Sequence, residues 1–101
     1  MQDNQDHFNV LRKIKNRSKT SQREMARDLN FSLGKLNYCL RALQEKGLIK
    51  IKNFKKNPKK SNYLYFLTPQ GIKEKTNLTL NFMKRKMREY DELKSEIEED
   101  N

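Results

Sequence analysis

The sequence predicts a mainly α-helical protein with one small β-hairpin and a long C-terminal helix. Three features indicate this fold class. Two short segments with apolar stripes follow each other in "SQREMARDLNFSLGKLNYCLRALQEKG". A lysine-rich loop then separates two runs of high strand propensity, "LIKIK" and "YLYFLT". Finally, a stretch of about thirty residues after Pro69 contains no further proline and only one glycine.

Composition limits the chain to one domain, or to one small domain with an appendage. It has 101 residues and a formal net charge of +10, from 23 Lys and Arg against 13 Asp and Glu. Such an imbalance indicates a polyanionic partner, either nucleic acid or an anionic membrane face. An A/T-rich genome would also raise the lysine content, but it would not decide where the lysines cluster.

Several function classes are disfavoured by the residues that the chain lacks. With Cys39 as its one cysteine, a single chain can form neither a disulfide nor a cysteine-based metal site. No set of His, Cys or carboxylate residues suggests metal or nucleophile chemistry, and no glycine-rich phosphate loop is present. We therefore expect no cofactor, no metal and no enzymatic activity. Without a signal peptide or a membrane span, a cytoplasmic protein is expected.

The first helix is predicted to begin at about His7, after a frayed polar segment over residues 1–6. Phe8, Leu11 and Ile14 recur every three residues, which is typical of a short amphipathic helix. The polar run "NRSKT" then interrupts the pattern.

The second helix is predicted to start with a capping box formed by Ser21 and Glu24. In this motif each side chain satisfies a free backbone N–H at the helix start. Met25, Ala26 and Leu29 form its apolar stripe.

The third helix is expected from Leu33 to about Lys46, with Ser32 as its cap. Four leucines lie within roughly 80° of one another around the helix axis and predict a core stripe: Leu33, Leu36, Leu40 and Leu43. Gly47 stands where a left-handed residue ends a helix, and Leu48 supplies the apolar contact that follows. Two helices of these lengths with a tight turn form a helix-turn-helix.

The hairpin that follows makes this a winged helix-turn-helix, predicted over residues 7–68. Ile49 and Ile51 share one face of the first strand, and the loop "NFKKNPKKSN" forms the wing. Pro69 is well suited to the first turn of the last helix.

Residues 69–101 are predicted to form a long dimerisation arm with an acidic tail. Apolar residues separated by three or four positions indicate a coiled-coil seam: Met83, Met87, Tyr90, Leu93 and Ile97. Earlier in the helix, four apolar residues are expected to pack back on the domain: Ile72, Leu78, Leu80 and Phe82. The basic block "KRKMR" precedes a tail with six acids and one lysine, so charge favours antiparallel over parallel pairing in a homodimer.

Nucleic-acid contacts are expected on the face of the third helix opposite its leucines. The second helix of a helix-turn-helix enters the major groove of DNA. Arg41 suits guanine and Asn37 suits adenine. The remaining candidates can contact phosphates, base edges or a thymine methyl group: Ser32, Lys35 and Tyr38. An ordinary solvated helix face is the alternative interpretation.

The wing gives the stronger signal for DNA. It carries lysines without an intervening acid, and these are expected to contact phosphates: Lys52, Lys55, Lys56, Lys59 and Lys60. Arg23 and Arg27 of the second helix can add backbone contacts. A solvated basic loop is the alternative here.

Three segments together resemble the MarR-type winged-helix regulators, and in particular the small subgroup associated with exopolysaccharide genes. They are "SQREMARDL", "SLGKLNYCLRALQEKGLIKIKNF" and "YLYFLTPQGIKEKTNLTLNFMKRKMREYDELKSEIEE". The resemblance implies a dimeric DNA-binding regulator with its recognition helix at 32–46 and its wing at 52–62. The chain lacks the extra helices of larger members, which argues against a small-molecule effector.

The leading hypothesis is a homodimeric, sequence-specific transcription regulator that reads an inverted repeat in double-stranded DNA. Two alternatives stay open from the sequence. One is a winged-helix interaction module that binds protein or RNA, and the other is a non-specific DNA binder.

Overall fold

The computed structural model describes residues 3–14, 17–53 and 62–101, and the elements below belong to these ranges. The helices are α1 (Asp3–Lys13), α2 (Gln22–Leu29), α3 (Leu33–Glu45) and α4 (Pro69–Asp100). The strands are β1 (Arg17–Ser21), β2 (Ile49–Asn53) and β3 (Asn62–Leu67). The predicted fold class, mainly helical with a small sheet and a long C-terminal helix, is confirmed.

The sheet has three antiparallel strands in the order β1-β3-β2. The predicted strands β2 and β3 pair with each other, and β1 is a third strand that was not predicted. Strand β1 covers most of the run "NRSKT", for which the apolar pattern predicts only a break between helices. Its register pairs Ser18 with Tyr65, while Ile51 of β2 pairs with the other side of Tyr65. The central strand β3 is apolar at successive positions, as expected of a strand enclosed between neighbours. Strand β1 is polar in sequence and pairs with β3 through its backbone, so no apolar pattern predicts it.

Helix α1 begins at Asp3, so the prediction of a frayed segment over residues 1–6 is wrong for residues 3–6. Two polar contacts support this first part of the helix. The amide of Gln5 donates a hydrogen bond of 3.1 Å to Asn9 one turn later, and Asp6 forms an ion pair with Lys35 of α3. The helix start was predicted from apolar spacing alone, and these polar contacts are not part of that spacing.

The predicted helix caps are present. The Ser21 hydroxyl accepts a hydrogen bond from the Glu24 N–H at 3.0 Å, and the Ser32 hydroxyl accepts one from the Lys35 N–H at 3.1 Å. The Glu24 carboxylate accepts a 2.9 Å bond from the Thr20 hydroxyl instead of closing the capping box in full. Between α2 and α3, Asn30 adopts the left-handed conformation (φ 58°) that makes the turn tight.

The core combines one face of α1, α2 and α3 with the inner face of the sheet. It includes Phe8, Leu11 and Ile14 from α1, and Cys39 lies in it as a packed thiol. Of the four leucines predicted as the α3 stripe, three are buried, whereas Leu33 is 46% exposed. Leu33 lies in the first turn of α3 and borders a surface groove instead of the core.

A compact junction joins the end of α3 to the start of α4. Gly47 is left-handed (φ 75°), and the Leu48 N–H donates to the Leu43 carbonyl at 3.0 Å, which closes α3 as predicted. The Thr68 hydroxyl donates to the Gly47 carbonyl at 2.6 Å and accepts from the Gly71 N–H at 2.9 Å. One threonine therefore caps α4 and ties it to the end of α3.

Only part of α4 packs on the domain. Leu78 packs against the core, and the Phe82 ring lies 5.6 Å from that of Phe8. Ile72 and Leu80 are 45% and 50% exposed, so the prediction that they pack back is wrong. Leu80 lies on the side of α4 opposite Leu78 and Phe82, and Ile72 lies at the edge of their face. From residue 83 onward every side chain of α4 is exposed.

Candidate nucleic-acid interface

Helix α3 presents the predicted recognition residues to solvent. All five are exposed: Ser32, Lys35, Asn37, Tyr38 and Arg41. On the other side of the helix Leu36, Leu40 and Leu43 are buried, so they hold α3 with this face outward. Tyr38 is 62% exposed, so its ring and hydroxyl are both available for contacts outside the domain.

Asn37, Tyr38 and Arg41 form the centre of the outward face, because they lie within about 100° of each other at 100° per residue. Gly34 lies on the same face, and a Cβ placed there would meet nothing within 4 Å. This part of α3 therefore offers an amide, a phenol and a guanidinium around a shallow opening. These groups can read base edges and contact phosphates.

Lys35 lies on the flank of that face, toward α1. Its ammonium group is 3.2 Å from the Asp6 carboxylate and 4.3 Å from the centre of the Phe31 ring. The Asp6 side chain is only 14% exposed, whereas the Lys35 side chain is 41% exposed. Sequence reasoning predicted Lys35 as a contact but missed Asp6, since no periodic signal connects residues from two helices.

A groove runs along the start of α3, between α2 and the sheet. It has a volume of about 490 Å³ and is lined by Ser21, Gln22, Arg23, Leu33 and Tyr63. Arg23 and Arg27 are both exposed on α2, as predicted. The exposed Leu33 brings an apolar surface beside Arg23, a combination that can contact a thymine methyl group and its phosphate.

The described base of the wing carries two exposed lysines. Lys50 and Lys52 alternate with Ile49 and Ile51 along β2, so they project from the outer face of the sheet. The Lys52 ammonium group lies 5.8 Å from the centre of the Phe66 ring. The other predicted wing contacts lie outside the described residues: Lys55, Lys56, Lys59 and Lys60.

The predicted dimerisation residues form an exposed stripe on α4. Met83, Met87, Tyr90, Leu93 and Ile97 are each between 51% and 65% exposed. Contiguous exposed apolar surface of this length is unusual on a monomeric protein.

The described part of the chain contains neither a metal-binding cluster nor a helix suited to a membrane. Over residues 3–14, 17–53 and 62–101, no group of three or more His, Cys, Asp or Glu residues is placed to hold a metal ion. None of the helices in those ranges is both long and apolar enough to span a membrane.

Comparison with known proteins places the interface in a DNA-binding fold. Residues 7–50 match the family model described as winged helix-turn-helix DNA-binding. This segment includes α2, α3 and the predicted recognition residues. No curated protein matches the sequence.

Solved structures extend the likeness to most of the chain. ZitR of Lactococcus lactis, as a double mutant in the apo form, is 18% identical with a TM-score of 0.70. That alignment covers 93% of this chain and 68% of ZitR. The AdcR repressor of Streptococcus pyogenes is 14% identical with a TM-score of 0.63, over 88% of this chain and 62% of AdcR.

Staphylococcus aureus MarR, solved with salicylate and kanamycin, is 24% identical with a TM-score of 0.64. The alignment covers 81% of this chain and 53% of that protein. At these identities the likeness establishes a fold shared with MarR-type regulators. The chain spans between about half and two thirds of their lengths.

Proposed function

We propose that this protein is a sequence-specific DNA-binding transcription regulator that acts as a homodimer. Residues 7–68 bind the DNA, and residues 69–101 form the dimerisation arm. The observation that carries the proposal is the outward face of α3, which exposes Asn37, Tyr38 and Arg41 within a matched winged helix-turn-helix.

Each group has a defined role in this proposal. Arg41 forms a bidentate pair with a guanine, and Asn37 reads an adjacent adenine. Tyr38 contacts a phosphate or a thymine methyl group. Lys35, Ser32, Arg23 and Arg27 hold the helix against the backbone, which fixes its register in the groove.

The wing adds affinity rather than specificity. Lys52 and the predicted contacts Lys55, Lys56, Lys59 and Lys60 neutralise phosphates next to the recognition site. Lysine is a point charge without the planar fork of arginine, which suits it to phosphates more than to base edges.

A homodimer would read an inverted repeat, because two-fold symmetry in the protein is matched by two-fold symmetry in the operator. Its half-sites are expected about one helical turn of DNA apart, near 34 Å. The resemblance to the exopolysaccharide-associated subgroup supports target genes of that class, and chromosome-wide mapping of bound sites would test this assignment.

The first experiment is a selection of bound duplexes from a random DNA pool at two salt concentrations. An enriched inverted repeat at the higher salt supports a specific dimeric regulator. Retention that depends on salt but enriches no sequence contradicts sequence-specific reading and leaves a non-specific basic surface.

Variants then test the assignment of α3. Arg41→Ala is expected to reduce discrimination at one base pair by about 1–3 kcal/mol. Lys73→Ala is the matched control, because it removes the same charge from an exposed position of α4 outside the predicted contacts. If Arg41→Ala and Tyr38→Ala both leave the base preference unchanged, α3 does not read the sequence.

A further inference from the structure

The exposed stripe on α4 can be assigned to the heptad of a two-stranded coiled coil. Positions 80, 83, 87, 90, 94 and 97 are separated alternately by three and four residues, which is the a and d pattern, and Leu93 of the stripe then takes the flanking g position. Five of the six are apolar and between 50% and 65% exposed: Leu80, Met83, Met87, Tyr90 and Ile97. The sixth is Lys94.

The domain leaves this stripe accessible along its whole length. Gly71, Leu78 and Phe82 contact the domain from positions on the other side of α4. Leu80 is 50% exposed even though it lies between Leu78 and Phe82 in the sequence. A second helix can therefore lie along α4 as far as Leu80 without displacing the domain.

Lys94 distinguishes the two directions in which a second copy could lie. In a parallel, in-register pair it would face the partner's Lys94 in the centre of the interface. Two like charges at that distance destabilise a pair of helices. In an antiparallel pair an a position faces a d position, so Lys94 meets an apolar side chain and keeps its ammonium group in water.

The distribution of charge along α4 favours the same direction. The segment 84–88 carries four basic residues and no acid, whereas 91–100 carries six acids and one lysine. A parallel pair would place like blocks side by side. An antiparallel pair brings the basic block of each copy toward the acidic segment of the other.

We propose that two copies of this chain pair through α4 in antiparallel orientation, with Ile97 packed on the partner's Leu80. This register also places Lys94 on the partner's Met83 and Met87 on the partner's Tyr90. Lys84, next to the seam, then lies beside the partner's Asp91. The inference rests on the proposed homodimer and specifies its direction and register.

Disulfide formation between two single-cysteine variants tests the direction. In a Cys39→Ala background, Met83→Cys and Lys94→Cys are each oxidised alone and after refolding as an equimolar mixture. The antiparallel register predicts a disulfide-linked dimer in the mixture and little in either variant alone. Disulfide dimers of each variant alone would overturn the antiparallel orientation.

Light scattering on the unmodified chain separates failure of this inference from failure of the proposed function. A monomer at concentrations well above those used for DNA binding would overturn both the homodimer and its arm. A dimer that gives the wrong cross-links would overturn the orientation alone. Circular dichroism of both cysteine variants confirms that they are folded before oxidation.

A charge exchange tests the register independently of any cysteine. Lys84→Glu and Asp91→Lys are each expected to raise the dimer dissociation constant about tenfold, because two symmetry-related pairs become repulsive. The double variant restores attraction and is expected to recover most of the affinity. Glu92→Lys, which points away from the seam, is the control and should change the constant little. If the double variant is as weak as the single ones, the register is wrong.

Discussion

The ion pair between Lys35 and Asp6 holds a predicted DNA contact against α1. The carboxylate is the less exposed partner, so the lysine has to leave it, or share it, when a phosphate approaches. In the proposed DNA complex, Asp6 would therefore compete with a phosphate for Lys35 at the edge of α3.

Asp6→Asn is expected to raise DNA affinity by a factor of about two to five, because the competing charge is removed while the side-chain shape is kept. The measurement is a DNA titration at fixed salt. Asp28→Asn is the matched control, since Asp28 pairs with Lys13 at 3.3 Å away from α3 and gives the same change in net charge. Equal gains in the two variants would show that net charge alone is responsible.

Tyr65 makes the stability of the fold depend on high pH. Burial raises the pKa of its hydroxyl to about 12 from the ordinary value of 10.0, the neighbouring Tyr63 adds to the increase, and an interaction with Gln22 opposes it. In the unfolded chain this tyrosine loses its proton near pH 10, whereas in the folded protein it keeps the proton. Its contribution to stability is therefore complete below pH 10 and is lost as the pH rises toward 12.

We expect this tyrosine to lower the free energy of unfolding by up to about 1.4 kcal/mol per pH unit between pH 10 and 12. Denaturant titrations of the natural protein and of Tyr65→Phe measure it, because the two proteins differ only in this hydroxyl. The phenylalanine variant should show the shallower decline. Parallel pH profiles would contradict the assignment.

At the scale of elements, the junction between α3 and α4 depends on a glycine without a special φ. A Cβ at Gly71 would overlap the carbonyl oxygen of Leu48, a rigid backbone atom. That carbonyl also accepts a 3.0 Å hydrogen bond from the Thr68 N–H. Any side chain at 71 therefore pushes α4 away from the end of α3.

Gly71→Ala is expected to destabilise the fold by about 2–3 kcal/mol through this overlap. Gly34→Ala is the matched control: its Cβ would meet nothing within 4 Å, and alanine favours a helix by about 0.5–1 kcal/mol. Thermal unfolding compares the two variants. If both gain stability, the close approach at Leu48 does not constrain the junction.

Gly34 also tests how α3 meets DNA. It lies on the outward face, so the added methyl group of Gly34→Ala is expected to weaken DNA binding while the fold becomes more stable. Opposite changes in stability and affinity would locate the close approach of DNA at this residue. Unchanged affinity would place the DNA elsewhere on the helix.

Most elements were predictable because their signals are local. The capping serines, the left-handed residue after α3 and the proline of α4 each act within one turn of chain. Strand β1 was missed because its stability comes from backbone pairing with β3, forty-odd residues away. Leu33 was wrongly predicted to be buried because periodicity shows only which face of the helix a residue lies on. It does not show whether the elements packed on that face reach the first turn of α3.

For the whole molecule, the proposed dimer has a consequence for the salt dependence of DNA binding. The slope of log affinity against log salt counts neutralised phosphates, at about −0.9 per contact. A dimer with two identical domains doubles the contacts of one domain.

Met87→Gln combined with Tyr90→Gln is expected to separate the copies and to halve that slope without unfolding the domain, because both side chains are 64% exposed. Ser95→Gln, on the same helix but off the stripe, should leave the slope unchanged. Titrations over a series of salt concentrations measure it. An unchanged slope in the double variant would mean that one domain makes all the phosphate contacts.

The sequence by itself determined the order of the helices, their caps, the exposed face of α3 and the apolar stripe of α4. These features are periodic or local, so a linear pattern contains them. Only the tertiary structure decided that β1 completes the sheet, that Asp6 holds Lys35, and that Leu80 faces away from the domain. Each of those depends on which surfaces of distant segments meet, and that is set by packing rather than by any spacing along the chain.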